Sequence, residues 1–158
     1  MPSVPKSSGA PQADSRFWWF FERFTDVHTA AYRLTKGRLG GNVMGPILLL
    51  DHVGAKTAKR RTSPLIYFTD DDGNWVIIAS KGGVEKHPAW WHNLKAHPVT
   101  TAQVGGERRP VRAREAEGPE REKLWKRAVE VYEPYASYQR RTKRRIPVVV
   151  LEPAAPIS

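Results

Sequence analysis

The pattern of hydrophobic and polar positions divides the chain into three parts. Residues 1–14 are mostly Pro, Ser, Gly and Ala, which predicts a disordered tail. In residues 15–36 the apolar side chains recur every three or four positions, which predicts an amphipathic helix, and glycines at 37, 40 and 41 form a connector. The pattern therefore predicts a tail, a helix with its connector over 15–41, and one folded domain over 42–158.

Beyond residue 45, short apolar runs alternate with turn signals. The runs at 47–53, 62–69, 75–80, 99–104, 108–116 and 146–151 predict strands, and the turns at 70–73 and 105–106 predict hairpins. Helical spacing predicts two inserted helices, one containing Trp90, Trp91 and Leu94 and one over 119–132 with a core stripe of Leu124, Ala128 and Val131; Pro134 is expected to end the second. The expected fold is mainly β with α: a barrel of about six antiparallel strands, the N-terminal helix and two inserted helices.

Composition narrows the function classes. A chain of 158 residues with 40% hydrophobic content suits a single core, and the absence of cysteine excludes disulfides and thiolate chemistry. The net charge of +10 predicts an acidic partner: nucleic acid, an anionic lipid surface or an acidic small molecule. With no secretion signal or apolar span, a cytoplasmic location is expected. The basic, aromatic-rich helix over 15–36 either packs on the core or lies on the inner face of the membrane.

The first candidate site is a basic turn between the first two strands. Lys56, Lys59, Arg60 and Arg61 crowd this turn, which suits a phosphate or several carboxylates. A solvated hairpin tip is the alternative. Ala55 stands where a phosphate-binding loop requires glycine, so that motif is excluded.

The second candidate site follows the third strand. Gly82 and Gly83 permit a close approach to the backbone, and the tryptophan helix comes next; ordinary packing is the alternative. Tyr132, Tyr135 and Tyr138 repeat every three residues, which predicts that they share one side and line a pocket. The histidines at 87, 92 and 97 do not share a helix face, so no metal site is predicted.

Three stretches resemble one known family. They are GAKTAKRRTSPLIYF from 54, IIASKGGVEKHPAWWHNLKAHP from 77 and EREKLWKRAVEVYEPYASYQRRTKRRIPVVVLEP from 120. Together they resemble the deazaflavin (coenzyme F420)-dependent nitroreductase and quinone reductase family. The resemblance implies a split β-barrel that binds F420, a deazaflavin with a phosphate and an oligoglutamate tail. It also implies hydride transfer from the reduced coenzyme to an organic acceptor, either a quinone, a nitroaromatic or an activated enone.

The resemblance also implies site residues. Expected along the tail and body of the coenzyme are Lys56, Thr57, Ala58, Arg61, Thr62, Ser63, Pro64, Leu65, Ile66 and Tyr67. Expected around the ring are Ile78, Ala79, Ser80, Lys81, Gly82, Gly83, Ala89, Trp90, Trp91, His92, Asn93 and Tyr135. Expected on the substrate side are Tyr67, Ser80, Tyr132, Tyr135 and Tyr138, with Tyr135 orienting the acceptor and supplying its proton.

The sequence departs from the family pattern in the basic turn and in the tryptophan helix. Many relatives have glycine where Ala58 stands, so a positive φ there would be strained. Relatives often have tyrosines at the positions of Trp91 and His92, which affects pocket shape. A bulky residue at Gly83 is expected to block the coenzyme and leave the fold intact.

Two other functions are alternatives to an F420-dependent reductase. They are an FMN-dependent split-barrel reductase and a basic barrel that binds nucleic acid, although no nucleic acid is expected.

Overall fold

The computed structural model describes residues 46–155. The predicted tail, N-terminal helix and connector lie outside these residues. The strands are β1 (Ile47–Val53), β2 (Arg60–Thr69), β3 (Trp75–Ile78), β4 (Val99–Val104), β5 (Glu107–Glu115) and β6 (Val148–Pro153). The helices are α1 (Ala89–Ala96), α2 (Gly118–Val131) and α3 (Pro134–Arg141).

The six strands form a closed antiparallel barrel in the order β1-β2-β3-β6-β5-β4. This confirms the predicted fold class. Along β3 successive side chains alternate between two layers, as the two-residue period of a strand requires. Ile77 belongs to an inner cluster with the tryptophans of α1, whereas Val76 and Ile78 belong to an outer cluster with α2 and α3. Both faces of β3 and β6 are therefore buried, which explains their continuous apolar runs.

The helices differ from the prediction in two respects. Pro134 was expected to end the second helix, but it is the first residue of α3. Three α-helices rather than two therefore lie within the described part of the chain. Proline is tolerated in a first helical turn, where its missing N–H would have no partner. The stripe predicted on α2 is also wrong at one end: Val131 is 39% exposed, and Arg121, at 6%, is buried in its place. Arg121 is accommodated because its Nη1 donates to the Ile146 carbonyl at 2.7 Å.

None of the helices described between residues 46 and 155 is long and apolar enough to cross a bilayer.

Candidate functional site

The basic turn, residues 56–61, projects from the barrel between β1 and β2. Its base is closed by two backbone bonds, Gly54 N–H to Lys59 O at 2.8 Å and Ala58 N–H to Gly54 O at 2.9 Å. Ala58 has φ 60, so this position does adopt the left-handed conformation and its Cβ is strained. All six side chains are exposed, and the ion pairs within residues 46–155 involve none of them. The turn therefore presents four cations to solvent.

The predicted coenzyme contacts along β2 divide between two faces of the strand. Ser63 lies opposite Leu50, whose side chain belongs to the inner cluster, so Ser63, Leu65 and Tyr67 share the inner face. Phe68 belongs to the outer cluster, which assigns the outer face to Thr62, Pro64 and Ile66. A ligand that lies on one face of β2 can therefore contact the side chains of only one of these two sets.

A largely buried hydrogen-bond network joins Ala55, the residue before the basic turn, to α1. Ala55 N–H donates to Asn93 Oδ1 at 2.9 Å, and Asn93 Nδ2 lies 2.9 Å from His52 Nδ1. His52 Nε2 is in turn 2.9 Å from Ser63 Oγ. Burial, and the charge of the nearby Arg61, lower the pKa of His52 to about 4. His52 is therefore neutral at physiological pH and connects two of the predicted site residues.

The turn Lys81–Gly83, here called the glycine turn, packs against α3. Gly82 and Gly83 have φ 65 and 82, and Lys81 has φ 44. A Cβ added at Gly83 would lie 2.7 Å from the carbonyl oxygen of Tyr138 and 2.8 Å from its Cα. The expectation that a bulky Gly83 leaves the fold intact is therefore wrong, because α3 would have to move. The close approach that this glycine permits is an approach to helix backbone.

Sequence reasoning missed Arg144, which organises the segment around the glycine turn. Its guanidinium donates to the carbonyls of Ala79 (3.2 Å), Ser80 (2.6 Å) and Val84 (2.7 Å), and to His87 Nδ1 at 2.9 Å. Burial lowers the pKa of Arg144. No sequence signal distinguishes Arg144 from Arg140, Arg141 and Arg145, because the pairing depends on which arginine faces the loop.

The three predicted tyrosines do form one cluster, at the end of α2 and along α3. The rings of Tyr132 and Tyr135 are 5.0 Å apart edge to face, and the Tyr132 and Tyr138 hydroxyls are 3.3 Å apart. Tyr135 and Tyr138 are each 4% exposed, and burial raises the pKa of both. Both phenols therefore keep their protons at neutral pH. The contact between Gly83 and Tyr138 places the cluster next to the glycine turn.

The remaining predicted residues divide into core and surface. Trp90 and Trp91 are 7% and 5% exposed and belong to the inner cluster, as does Ala79. Ala89 and His92 are exposed, and the His92 ring lies 5.8 Å from that of His87. Through Asn93 on one side and His92 on the other, α1 connects the basic turn with the loop that Arg144 holds. The two tryptophans pack as core, and a coenzyme contact by them stays a prediction.

The arrangement fits an acidic coenzyme better than a metal or a covalent mechanism. Four exposed cations and the Ser63 hydroxyl supply partners for phosphate or carboxylate oxygens. The backbone near Ala79 and Ser80 is fixed by Arg144, and neutral phenols lie beyond it. Such a site can hold an anion at one end and a ring at the other.

Comparison with known proteins shows the family to which the chain belongs. The family model described as F420H(2)-dependent quinone reductase matches residues 24–153. The chain is 45% identical over 130 residues to F420H(2)-dependent quinone reductase Rv1261c of Mycobacterium tuberculosis, covering 79% of this chain and 87% of that protein.

Two solved structures are similar as well. One is described as an F420-H2 dependent reductase, with 48% identity, a TM-score of 0.62, and coverage of 68% of this chain and 94% of that one. The other is described as a domain-swapped dimer, with 41% identity, a TM-score of 0.64, and coverage of 87% and 100%. The chain therefore belongs to the F420H(2)-dependent quinone reductase family and is an F420H2-dependent reductase.

Proposed function

We propose that this reductase transfers hydride from F420H2 to a quinone. The observation on which the proposal depends is the basic turn, whose four exposed cations face solvent and whose preceding residue, Ala55, is hydrogen-bonded to Asn93 of α1. An acidic coenzyme tail requires such a cluster. The quinone is proposed because the 45% identical relative is named a quinone reductase; nitroaromatics and activated enones are the other acceptors to be tested.

The chain's own residues then have distinct tasks. Lys56, Arg61 and Ser63 bind the anionic end of the coenzyme, and the segment fixed by Arg144 borders its ring. Bound F420H2 supplies the hydride. The protein contributes position and electrostatics, which place the donor and acceptor carbons close together and keep water away.

We infer that the tyrosine cluster orients the acceptor. The raised pKa of Tyr135 makes its phenol a poor source of a proton and leaves it a neutral hydrogen-bond donor. Tyr135 is therefore assigned the role of donating a hydrogen bond to an acceptor oxygen. The raised pKa of Tyr138 assigns its phenol the same kind of role, and its hydroxyl lies 3.3 Å from that of Tyr132.

The test is an anaerobic assay in which oxidation of F420H2 by the full-length protein is followed after adding menadione, a nitroaromatic or a cyclic enone. Fastest oxidation with menadione supports the proposal. No oxidation with any quinone, combined with turnover of another acceptor, would overturn it. Reduced FMN in place of F420H2 tests the flavin alternative, and binding of a labelled oligonucleotide tests the nucleic-acid alternative.

Attachment of the predicted helix over 15–36 to an anionic membrane surface is a separate proposal. It predicts that the protein co-sediments with phosphatidylserine vesicles and that deletion of residues 1–36 abolishes the co-sedimentation.

A further inference from the structure

One hydrogen-bond network joins Ala55, Asn93, His52 and Ser63. Chemistry determines which group donates and which accepts at each of its bonds. A backbone N–H can only donate, so the oxygen of the Asn93 amide faces Ala55. The amide nitrogen therefore lies at the other end and donates to His52 Nδ1. A ring nitrogen that accepts a hydrogen bond carries no proton, which leaves the single proton of neutral His52 on Nε2.

This direction determines what Ser63 can do. His52 Nε2–H donates to Ser63 Oγ at 2.9 Å, so the serine oxygen acts as acceptor within the network. The hydrogen of the Ser63 hydroxyl is then directed away from His52 and is available to another acceptor. Ser63 is half-buried and lies on the inner face of β2 two residues after Arg61.

Two features disfavour a second proton on the His52 ring, so Nδ1 stays an acceptor. His52 is 4% exposed, so a charged ring would lose most of its hydration. Arg61 lies opposite His52 across the β1–β2 pair, and its positive charge opposes a second proton on the ring, although Asp51 next to His52 favours one.

We propose that His52 and Asn93 are positioning residues that keep Ser63 as a hydrogen-bond donor to an anionic oxygen, phosphate or carboxylate, of the coenzyme at the basic turn. The inference rests on the proposed function, which supplies the anionic ligand. It adds His52 to the predicted site residues and gives Asn93, which was expected at the ring, a role exerted through His52 and Ser63. An anion that accepts from Ser63 also lies near Arg61.

The first test measures the network without any ligand. Full-length protein with 15N-labelled histidine is examined by long-range 1H–15N correlation spectroscopy, and the His52 signals are identified by their loss in His52→Asn. We expect the pattern of a neutral ring protonated on Nε2. A proton on Nδ1, or a doubly protonated ring at pH 7, would overturn the assigned direction whatever the protein's activity.

The second test measures dissociation constants for three ligands: the deazaflavin chromophore alone, the chromophore with its phosphate, and the full coenzyme with glutamates. Ser63→Ala is expected to weaken binding of an anionic ligand about tenfold and to leave the chromophore unchanged, because one charge-assisted hydrogen bond is lost. A loss that begins with the phosphate assigns that group as the acceptor, and a loss seen only with the full coenzyme assigns a carboxylate. Ser63→Thr keeps a hydroxyl and should keep most of the affinity.

A double-mutant cycle separates positioning from folding. His52→Asn should weaken anion binding in the wild-type background and have no further effect in Ser63→Ala. The control is Thr100→Val, which removes another buried hydrogen bond to β1, from Thr100 Oγ1 to Asp51 O at 2.6 Å, and should leave affinity unchanged.

Equal losses for the chromophore and the full coenzyme, or additive effects of His52→Asn and Ser63→Ala, would overturn the proposal. A wild-type protein that binds none of the three ligands would overturn the proposed function and the ligand assignment together. The proton position on His52 would still decide the direction of the network.

Discussion

At the scale of single residues, burial decides which functional groups can change their charge. Tyr135 and Tyr138 are almost completely buried, and burial raises the pKa of each, so both phenols keep their protons at neutral pH. His52 shows the opposite consequence of the same physics, since burial disfavours its cation. The candidate site therefore combines neutral hydrogen-bonding groups inside with permanent cations outside.

The role of Tyr135 predicts a specific kinetic effect. Tyr135→Phe removes the hydroxyl and keeps the ring that packs against Tyr132, so the fold should be preserved. If the hydroxyl orients the acceptor, kcat/KM for the quinone should fall about tenfold to a hundredfold, while the Kd for F420 stays unchanged. Steady-state kinetics and coenzyme fluorescence check this. Full turnover at unchanged affinity would contradict the role.

Gly83 and Gly73 provide a matched comparison at this scale. Both have φ +82, so alanine at either position incurs a left-handed strain of about 1–2 kcal/mol. At Gly73 a new Cβ meets nothing within 4 Å, whereas at Gly83 it meets the backbone of Tyr138. We expect Gly83→Ala to lower the free energy of unfolding by at least about 1 kcal/mol more than Gly73→Ala. Urea denaturation measures both, and equal losses would argue against the contact.

At the scale of elements, the loop after β3 depends on an arginine that lies about sixty residues further along the chain. Arg144 donates to three carbonyls that lie on both sides of the glycine turn, those of Ala79, Ser80 and Val84. The β2–β3 turn, in contrast, is built locally: the Asp70 carboxylate accepts from the backbone N–H groups of two residues that follow it closely. Sequence reasoning finds the second kind of loop because its partners are neighbours, and misses the first.

Arg144→Gln should therefore loosen one loop and leave the barrel formed. We expect a loss of about 2–3 kcal/mol in the free energy of unfolding, because several hydrogen bonds from a charged donor disappear. Backbone amides of residues 80–87 should exchange their hydrogens faster. The control is Arg145→Gln, an exposed neighbour, which should change neither quantity. Equal exchange in the two variants would refute the role of Arg144.

At the scale of the whole molecule, some basic side chains in the described part of the chain form ion pairs within it, and those of the basic turn do not. Arg114 pairs with Glu120 and Glu152 on the outer surface, and Lys123 pairs with Asp71. The cations of the basic turn are outside the ion pairs described for residues 46–155. The basic turn is therefore a place in the described residues where exposed cations outside those ion pairs can attract an acidic ligand.

The stability of the whole domain should depend on pH through His52. Its pKa is about 4 in the folded state, against 6.5 for an unperturbed histidine in the unfolded chain. Between these values the unfolded chain binds more protons, so stability rises with pH. The contribution is complete above pH 6.5 and is lost as the pH falls toward 4, by up to about 3 kcal/mol.

Thermal unfolding of wild type and His52→Gln at several pH values measures this contribution. The difference between the two proteins should change across the window from 6.5 to 4. Other groups, including His87, titrate in both proteins and cancel in the difference. Parallel curves would show that His52 does not titrate as described.

The sequence by itself determined the strands, two of the helices and the family of this protein. Two-residue alternation, hairpin turns and the three family-like stretches depend on residues close together in the chain, so strands, barrel and coenzyme class were predictable. Only the tertiary structure decided the pairings between distant residues: Arg144 with the β3 loop, His52 with Asn93 and Ser63, and Gly83 with Tyr138. It also made Trp90 and Trp91 core residues, because α1 turns them into the barrel. Burial and hydrogen-bond direction arise only once the chain has folded, and they set the chemistry of the site.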